Sequence, residues 1–479
     1  MRNIYEVMSR LAMQNVSGVP TPPVNRFSVP EDAITTDYGN CLRFVHHFGK
    51  DVFYDHHSKR WFIWNGRCWE VDSRERIKQL ATESVMKIRE VELPHFHDPD
   101  QKGRLTKWIA KSLNKTRINS VVEMARGELP SPGQLDKEVY LLNVQNGTVD
   151  LRTGELFPHN RDHYFTKLCE IDFSRSASCP KWHAFLNMAF QGNERLIRYF
   201  QKVIGYCLTG DTGEKCFFIC WGPGGNNGKS MIINVMRDIL GPDYSVMIAA
   251  ETLLTRRFQN PIRTDLVRLQ GHRFASASET HRQYQFDEGL IKGMSGGDAI
   301  TARPLRASEV EFVPEFKLFI ATNHLPKLNL NDPALVERVV IIPFLVSIPQ
   351  NERNRHFKDE LLAEEREGIL AWAVEGSVMW ANEGLGAIPL EERPAAEVSP
   401  ASSIEHFVNT CCCVGEGLRC GSSALYEAYT GYHARISDGS DVIPASTFYR
   451  HLSDLGYVPD HGRAYNERVG IALTSTPTG

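Results

Sequence analysis

The sequence predicts an α/β protein organised around a strand, a glycine-rich loop and a helix that follow one another directly. Residues 216–221 form an apolar run, residues 222–228 contain four glycines, and apolar residues then recur at helical spacing from 231 to 239. Earlier in the chain, aromatic-rich runs flank Asn65-Gly66, a pair that favours a hairpin turn. Later, residues 446–455 have helical periodicity and precede strand-like residues. We therefore expect an α/β core that is preceded by an α+β region and a helical collar and followed by a winged-helix-like domain.

The composition restricts the class of protein. The chain has 479 residues, of which 42% are apolar and 23% charged, and its formal charge is −4. No apolar run approaches the roughly 18 residues of a transmembrane helix, and the eleven cysteines lack the paired spacing of a disulfide scaffold or zinc finger. We expect a cytoplasmic protein with no membrane partner. The charge excludes a protein that holds nucleic acid by bulk positive charge, but not one with a local basic channel, because residues 256–273 contain five arginines and one acidic residue.

The glycine-rich loop is typical of a site for nucleotide phosphates. A strand that runs into such a loop, with a helix behind it, presents free backbone N–H groups at the positive end of the helix. Lys229, expected to be an exposed loop lysine, would contact the β- and γ-phosphates of ATP, and Ser230 would bind Mg²⁺. The loop is one residue longer than the usual spacing before Gly-Lys-Ser, and the alternative is a turn without a ligand. The predicted nucleotide contacts are Gly222, Pro223, Gly224, Gly225, Asn226, Asn227, Gly228, Lys229 and Ser230.

Two polar residues follow the next predicted strands. Glu279 comes after the strand-like residues 272–277, where a carboxylate is placed to activate the attacking water and to share the Mg²⁺ site. Many P-loop enzymes have an Asp before this acid, whereas this chain has Ser278. Asn323 follows a second strand and is expected to orient the water. A lone acid is more often a surface residue, so the role of Glu279 depends on its position relative to the loop.

Arg338 precedes a third predicted strand, residues 339–342. In a monomeric enzyme it would be an ordinary surface or ion-pairing residue. In a ring it would reach the triphosphate of a neighbouring subunit as an arginine finger. The sequence by itself leaves both alternatives open.

Changes in periodicity and the positions of prolines predict the domain plan. The expected segments are a flexible tail at 1–35, an N-terminal α+β domain at 36–178, a central domain at 179–345 with a helical collar (179–211) and a P-loop core (212–345), a helical segment and linker at 346–400, and a winged-helix-like domain at 401–479.

Ordered motifs along the chain resemble the superfamily 3 helicases found in primase-helicase proteins of phages, plasmids and large DNA viruses, of the poxvirus type. Before the loop, the similar motifs are Asn146-Gly147 with Thr153-Gly154, and Gly205-Tyr206 with Gly210-Asp211. After it they are Gly296-Gly297-Asp298 with Thr301-Ala302-Arg303, Ala321-Thr322-Asn323, and Arg338 with the apolar run behind it. The resemblance covers residues 140–345 most clearly.

This resemblance implies a hexameric, DNA-translocating ATPase of AAA+-like fold that acts on single-stranded and forked DNA during replication. It implies that Lys229 and Ser230 contact the nucleotide and metal, that Glu279 is the catalytic acid, Asn323 the sensor and Arg338 the finger supplied in trans. The hairpin that contacts DNA would map to residues 301–313, with Arg303 and Arg306 as candidates. A primase domain looks absent upstream, so a separate primase would be needed, and the setting would be a phage, prophage or satellite element in the cytoplasm of a bacterial host.

The C-terminal region carries a second set of candidates for DNA binding. Arg450 lies on the predicted recognition helix, and Arg463 lies in the wing with Arg468. Such sparse charge is equally typical of a solvated face. Two other functions compete with a helicase: a small-molecule P-loop kinase, and an origin-binding or scaffold protein whose ATPase is degenerate.

Overall fold

The computed structural model describes residues 29–222, 225–255, 263–278, 286–303, 309–323, 332–350, 353–388, 404, 407–408, 410–436, 442–459 and 467–473. The chain divides into two compact units between Leu135 and Asp136. No helix in these ranges is both long enough and apolar enough to cross a bilayer.

The first unit is a helical domain with a small antiparallel sheet. Its helices are α1 (Asp37–Phe48), α2 (Arg76–Lys87), α3 (Pro99–Ser112) and α4 (Lys115–Glu128), and its strands, in sheet order, are β1 (Val52–Asp55), β2 (Arg60–Trp64) and β3 (Trp69–Val71). The predicted hairpin at Asn65-Gly66 is present, since β2 pairs antiparallel with β3 and Gly66 has a φ of 96°. A buried ion pair, Arg43 to Glu92 at 2.6 Å, lies within the unit.

The second unit contains the predicted α/β core. Its elements are β4 (Leu141–Val144), β5 (Gly147–Asp150), β6 (Glu155–Phe157), α5 (Pro180–Ala189), α6 (Glu194–Leu208), β7 (Phe217–Trp221), α7 (Lys229–Tyr244), β8 (Ser245–Ala249), α8 (Thr264–Val267), β9 (Phe274–Ser278), α9 (Glu288–Gly296), β10 (Ile300–Ala302), β11 (Val310–Phe312), β12 (Lys317–Thr322), α10 (Pro333–Val336), β13 (Val339–Pro343), α11 (Phe357–Glu364), α12 (Arg366–Glu383), β14 (Cys412–Gly421), α13 (Ser422–Ile436), α14 (Ala445–Asp454) and β15 (Glu467–Leu473).

Five parallel strands form the central sheet, in the order β13-β7-β12-β9-β8. The residues of β12 are buried throughout, which explains why four consecutive apolar residues, 318–321, lie between Lys317 and Thr322 rather than an alternating pattern. Because parallel strands end at one edge of the sheet, the residues that follow β7, β9 and β12 share that edge. The predicted α/β class is confirmed.

The helical collar packs on α12 through close backbone contacts. A Cβ at Gly205 of α6 would lie 1.9 Å from the Ser377 backbone nitrogen, and one at Gly376 of α12 would lie 2.1 Å from the Gln201 carbonyl oxygen. Only glycine permits this approach, so α6 and α12 form a tightly packed pair.

The division of the chain differs from the predicted boundary after residue 178. Leu142, Val149 and Ile171 belong to the same hydrophobic core as α6 and α12, so β4 to β6 pack with the second unit. A boundary within a continuous core would expose apolar surface, which is why the chain divides after Leu135 instead.

Two buried cations join the sheet to the end of α6. Arg273 donates to the Leu208 carbonyl oxygen at 2.8 Å, and Lys317 Nζ donates to the carbonyl oxygens of Thr209 and Asp211. Positive charge is favourable near the carbonyl end of a helix. Burial lowers the pKa of Lys317 to about 7.

The C-terminal part of the second unit has its own core, in which β14 pairs antiparallel with β15. The expected helix at residues 446–455 is α14. Around Tyr457, where a strand is expected, the described residues form a single bridge between Pro459 and Arg468. Arg468, expected in a DNA-binding wing, is 5% exposed and donates to the Tyr457 carbonyl oxygen at 2.8 Å. The Arg468 guanidinium is therefore hydrogen-bonded within this core. The winged-helix-like domain stays a prediction.

Candidate functional site

The glycine-rich loop joins β7 to α7 at the carboxyl edge of the central sheet. A Cβ at Gly222 would lie 2.1 Å from the Phe344 carbonyl oxygen, so the loop begins where only glycine fits. Gly228, the N-cap of α7, has a φ of 86°, which also favours glycine. Pro223 and Gly224 lie outside the described residues. Gly222 and Gly228 thus have backbone reasons for their identity, whereas a Cβ at Gly225 would meet no described atom within 4 Å.

Lys229 points into the loop and is only 4% exposed, so the expectation of an exposed lysine is wrong. Its Nζ donates to the Gly222 carbonyl oxygen at 3.0 Å, to Asn227 Oδ1 at 2.8 Å and to Asn323 Oδ1 at 3.0 Å. These three oxygens accept one hydrogen bond from each of the three protons of the ammonium group. Burial lowers the pKa of Lys229 to about 8.

Asn323 reaches Lys229 because of the strand order. It follows β12, whose last residue, Thr322, is in register with Trp221 at the end of β7. On its other side, β12 pairs with β9, and Ala321 is in register with Ser278. Glu279 comes directly after β9 in the sequence but lies outside the described residues. The structure therefore brings together Lys229 and Asn323, two candidates that are 94 positions apart.

Arg338 lies at the amino-terminal end of the parallel strands, whereas the loop lies at their carboxyl-terminal end. Its carbonyl oxygen accepts from the Phe217 backbone N–H at 2.8 Å, at the beginning of β7, and its guanidinium donates to the Ala334 carbonyl oxygen at 2.9 Å. All five residues of β13 separate it from the loop edge, a distance of roughly 17 Å at strand spacing. Arg338 is thus not part of the site that Lys229 forms within this chain.

The loop opens into a cleft of about 810 Å³ that the sequence did not predict. Ser230, which is exposed, lies in it. Phe185 of α5 lies against the loop, since a Cβ at Gly228 would be 3.1 Å from its Cζ. Met188, Arg353, Arg355 and Phe357 are among the other lining residues that no sequence pattern identified.

The cleft has an apolar wall and a basic rim. The rings of Phe185 and Phe357 are 5.5 Å apart between centroids, and the Arg353 side chain donates to the Ile348 carbonyl oxygen at 2.9 Å. Ile348 N–H in turn donates to the Asn226 carbonyl oxygen at 2.9 Å, which ties this segment to the loop. No sequence motif marks Arg353 or Arg355, and the pattern around Phe185 indicates only an ordinary core position of an amphipathic helix.

The candidates for DNA binding lie on two separate parts of the second unit. Arg303 is exposed at the end of β10, which pairs antiparallel with β11, and Arg450 is exposed on α14. Arg306 and Arg463 lie outside the described residues. Among the described residues, no group of three or more His, Cys, Asp or Glu side chains is arranged to hold a metal ion.

Comparison with known proteins gives matches in large DNA viruses. Residues 41–191 match the family described as "D5 N terminal like". A candidate helicase of Acanthamoeba polyphaga mimivirus is 28% identical over 301 residues, which are 61% of this chain and 30% of that protein. The chain is similar to D5-like primase-helicases. The resemblance predicted from the motifs is thereby confirmed, and the family match begins about a hundred positions before residue 140.

Other relatives extend the same pattern. A candidate helicase of invertebrate iridescent virus 3 is 27% identical over 44% of this chain and 23% of its own length. A candidate primase of African swine fever virus is 23% identical over 40% of this chain and 20% of its own length. The chain thus spans less than a third of the length of these curated relatives. The apo structure of the NrS-1 C-terminal region aligns with a TM-score of 0.44 and 11% identity, over 90% of this chain and 99% of that one.

Proposed function

We propose that this chain is an ATP-dependent DNA helicase that unwinds replicating DNA of a mobile element or virus as a ring-shaped oligomer. The observation that carries the proposal is the buried Lys229, which lies at the start of α7 and is hydrogen-bonded to Asn323 at the end of the adjacent strand. The names of the viral relatives, helicase and primase, support a role in replication.

Binding of ATP would replace the oxygens that now surround Lys229. The loop and the N-terminus of α7 present backbone N–H groups to the phosphates, and the Lys229 ammonium would move from Gly222, Asn227 and Asn323 to the β- and γ-phosphate oxygens. The wall formed by Phe185 and Phe357 suits the flat face of a base, and the exposed Arg353 and Arg355 suit anionic phosphate oxygens.

Ser230 fits the role of a Mg²⁺ contact because its hydroxyl is a hard oxygen donor that lines the cleft directly after Lys229. When bound, Mg²⁺ supplies positive charge that neutralises the triphosphate in the transition state. Glu279 is proposed as the residue that accepts the proton of the attacking water.

Asn323 would couple hydrolysis to the state of the loop. In the present arrangement its side-chain oxygen accepts from Lys229. Once phosphate oxygens accept the hydrogen bonds of Lys229, the Asn323 side chain would lose this partner and could turn its amide group toward the attacking water. The site would therefore detect the γ-phosphate through one exchanged hydrogen bond.

Arg338 would complete the site of a neighbouring subunit. Because it lies at the far edge of the sheet from its own loop, an arginine finger at this position requires a second copy of the chain. The proposed ring would supply that copy.

The test is ATP hydrolysis by the purified chain with and without single-stranded DNA, together with unwinding of a forked duplex. We expect DNA to stimulate hydrolysis, Lys229→Ala to abolish it, and Glu279→Gln to bind ATP without turnover. Lys181→Ala is the matched control, since Lys181 lines the same cleft but its Nζ is bound to Glu364 at 2.6 Å. An equal rate of hydrolysis with and without DNA would favour a kinase. Nucleotide binding without turnover in the unmodified chain would favour a degenerate scaffold protein.

A further inference from the structure

Helix α3 in the first unit presents a row of cations to solvent. Arg104, Lys107 and Lys111 are exposed and fall within about 60° of one another around the helix, because 100° separates successive residues. Lys115, at the start of α4, is a further exposed cation four residues after Lys111. The opposite face of α3 is buried, through Leu105, Trp108, Ile109 and Ser112. These four cations are called the α3 basic row below.

Among the described residues, the structure shows no ion-pair partner for the α3 basic row, whereas cations on neighbouring helices have one. Within residues 29–135, all of which the structure describes, no carboxylate is paired with any member of the row. On α2 and α4, by contrast, Lys87 pairs with Glu83 at 3.0 Å and Arg117 with Asp37 at 2.8 Å. The row therefore keeps its full positive charge at the surface.

The one acidic residue of α3, Asp100, lies in its first turn, and Asp98 precedes the helix. The Asp98 carboxylate caps the helix by accepting from the Asp100 backbone N–H at 3.0 Å. That cap explains Asp98-Pro99-Asp100 as a helix start. From Arg104 to Lys111 the row spans roughly 10 Å, which is about three base steps along one DNA strand.

We infer that the α3 basic row binds the phosphate backbone of DNA, an inference that rests on the proposed function because that function supplies the DNA. Lysine and arginine contacts to phosphates release counterions and do not depend on base sequence. The row consists of residues other than those of the nucleotide cleft and of the β10–β11 pair, so it would be an additional DNA contact. If three cations of the row each contact one phosphate, their removal would make the slope of log affinity against log salt less negative by about two for single strands.

The experiment uses the full chain with Arg104→Ala, Lys107→Ala and Lys111→Ala combined. The matched control is Lys59→Ala, Arg60→Ala and Arg74→Ala, which removes three exposed cations from the hairpin side of the same unit. Fluorescence anisotropy of a labelled single strand and of its duplex, over about 50 to 200 mM salt, gives affinity and salt slope. ATP hydrolysis without DNA checks that the second unit is active, and circular dichroism during thermal unfolding checks that the first unit, which carries the substitutions, is folded.

We expect the row variant to bind DNA at least tenfold more weakly at low salt, with a reduced slope, while the control stays within twofold of the unmodified chain. The single-strand and duplex arms show which form the row holds. If the unmodified chain binds DNA and the row variant matches the control, the row faces solvent or an acidic protein and the inference is wrong. An unmodified chain that binds no DNA would overturn the proposed function and this inference together.

Discussion

The Lys229 ammonium lies 3.0 Å from Asn323 Oδ1, so the phosphate-binding loop and the end of the adjacent strand are joined by one hydrogen bond. Its lysine end is buried, since Lys229 is 4% exposed, whereas Asn323 is exposed. The predictions below follow from this relationship, from the residues around the cleft and from the packing of the collar.

Asn323→Ala and Asn323→Asp separate two roles of this side chain. Asp keeps an oxygen that accepts from Lys229, whereas both substitutions remove the amide protons that would orient water. We expect both variants to retain ATP binding and to lose about 10² to 10³ in turnover, the range for loss of one preorganised donor. Steady-state hydrolysis and nucleotide titration measure the two effects. Normal turnover in Asn323→Asp would show that the residue only positions Lys229.

Arg338→Ala and Lys229→Ala should each be inactive, but a mixture of the two should recover hydrolysis. In a mixed ring, some sites combine an intact loop from one subunit with an intact finger from the next. A finger is worth about 10³ to 10⁵ in rate, so even a few repaired sites exceed the background. Phosphate release is measured on mixtures shown by native mass spectrometry to contain both subunits. No recovery in such mixtures would place the role of Arg338 within its own chain.

Arg353→Ala combined with Arg355→Ala should weaken ATP binding about tenfold and leave adenosine binding unchanged, because guanidinium groups bind phosphate oxygens. Phe185→Ala should weaken the binding of both ligands, since it removes an aromatic wall that the base and the loop share. Calorimetric titration with each ligand measures the difference. Lys181→Ala, whose charge is bound by Glu364, is the control. Equal losses for ATP and adenosine in the arginine variant would contradict a phosphate contact.

Lys317 predicts a pH dependence of stability. Burial lowers its pKa to about 7, whereas an unfolded lysine titrates near about 10.4. Between these values the unfolded state binds more protons, so the free energy of unfolding should rise as the pH increases from 7, by at most about 1.4 kcal/mol per pH unit. Urea unfolding at several pH values measures this rise.

Lys317→Met provides the comparison for that titration. The variant should be less stable overall, because the carbonyl oxygens of Thr209, Asp211 and Glu315 lose their donor. Its stability should also rise less steeply between pH 7 and 9 than that of the unmodified chain. Parallel profiles for the two proteins would mean that Lys317 keeps its proton in the folded state across this range.

Gly205→Ala should destabilise the second unit, because the added Cβ would lie 1.9 Å from the Ser377 backbone nitrogen. Overpacking of this kind costs typically about 1 to 3 kcal/mol. Gly431→Ala on α13 is the matched control, since no described atom beyond its own stretch of helix lies within 4 Å of the methyl group that alanine would add, and alanine there should stabilise the helix by about 0.5 to 1 kcal/mol. Thermal unfolding compares the two variants. A stable Gly205→Ala would show that α6 and α12 can separate at little cost.

The sequence alone determined the features that depend on local spacing. Apolar runs followed by polar residues predicted β7, β9 and β12, and helical periodicity predicted α5, α6 and α14, because burial in a sheet or on one face of a helix imposes those patterns. Glycines with restricted backbone geometry, such as Gly228, marked the loop. The motifs were also sufficient for the family resemblance, since their order along the chain is itself a sequence property.

Only the tertiary structure decided which distant residues meet. Strand order, which no local pattern encodes, brings Asn323 to Lys229 and carries Arg338 to the far edge of the sheet. Packing of β4 to β6 into the core of α6 moved the unit boundary from residue 178 to Leu135. Burial of Lys229 and Arg468 likewise depends on neighbours far away in the sequence. Contacts between remote segments arise from the whole core, so spacing could name the candidate residues but could not place them.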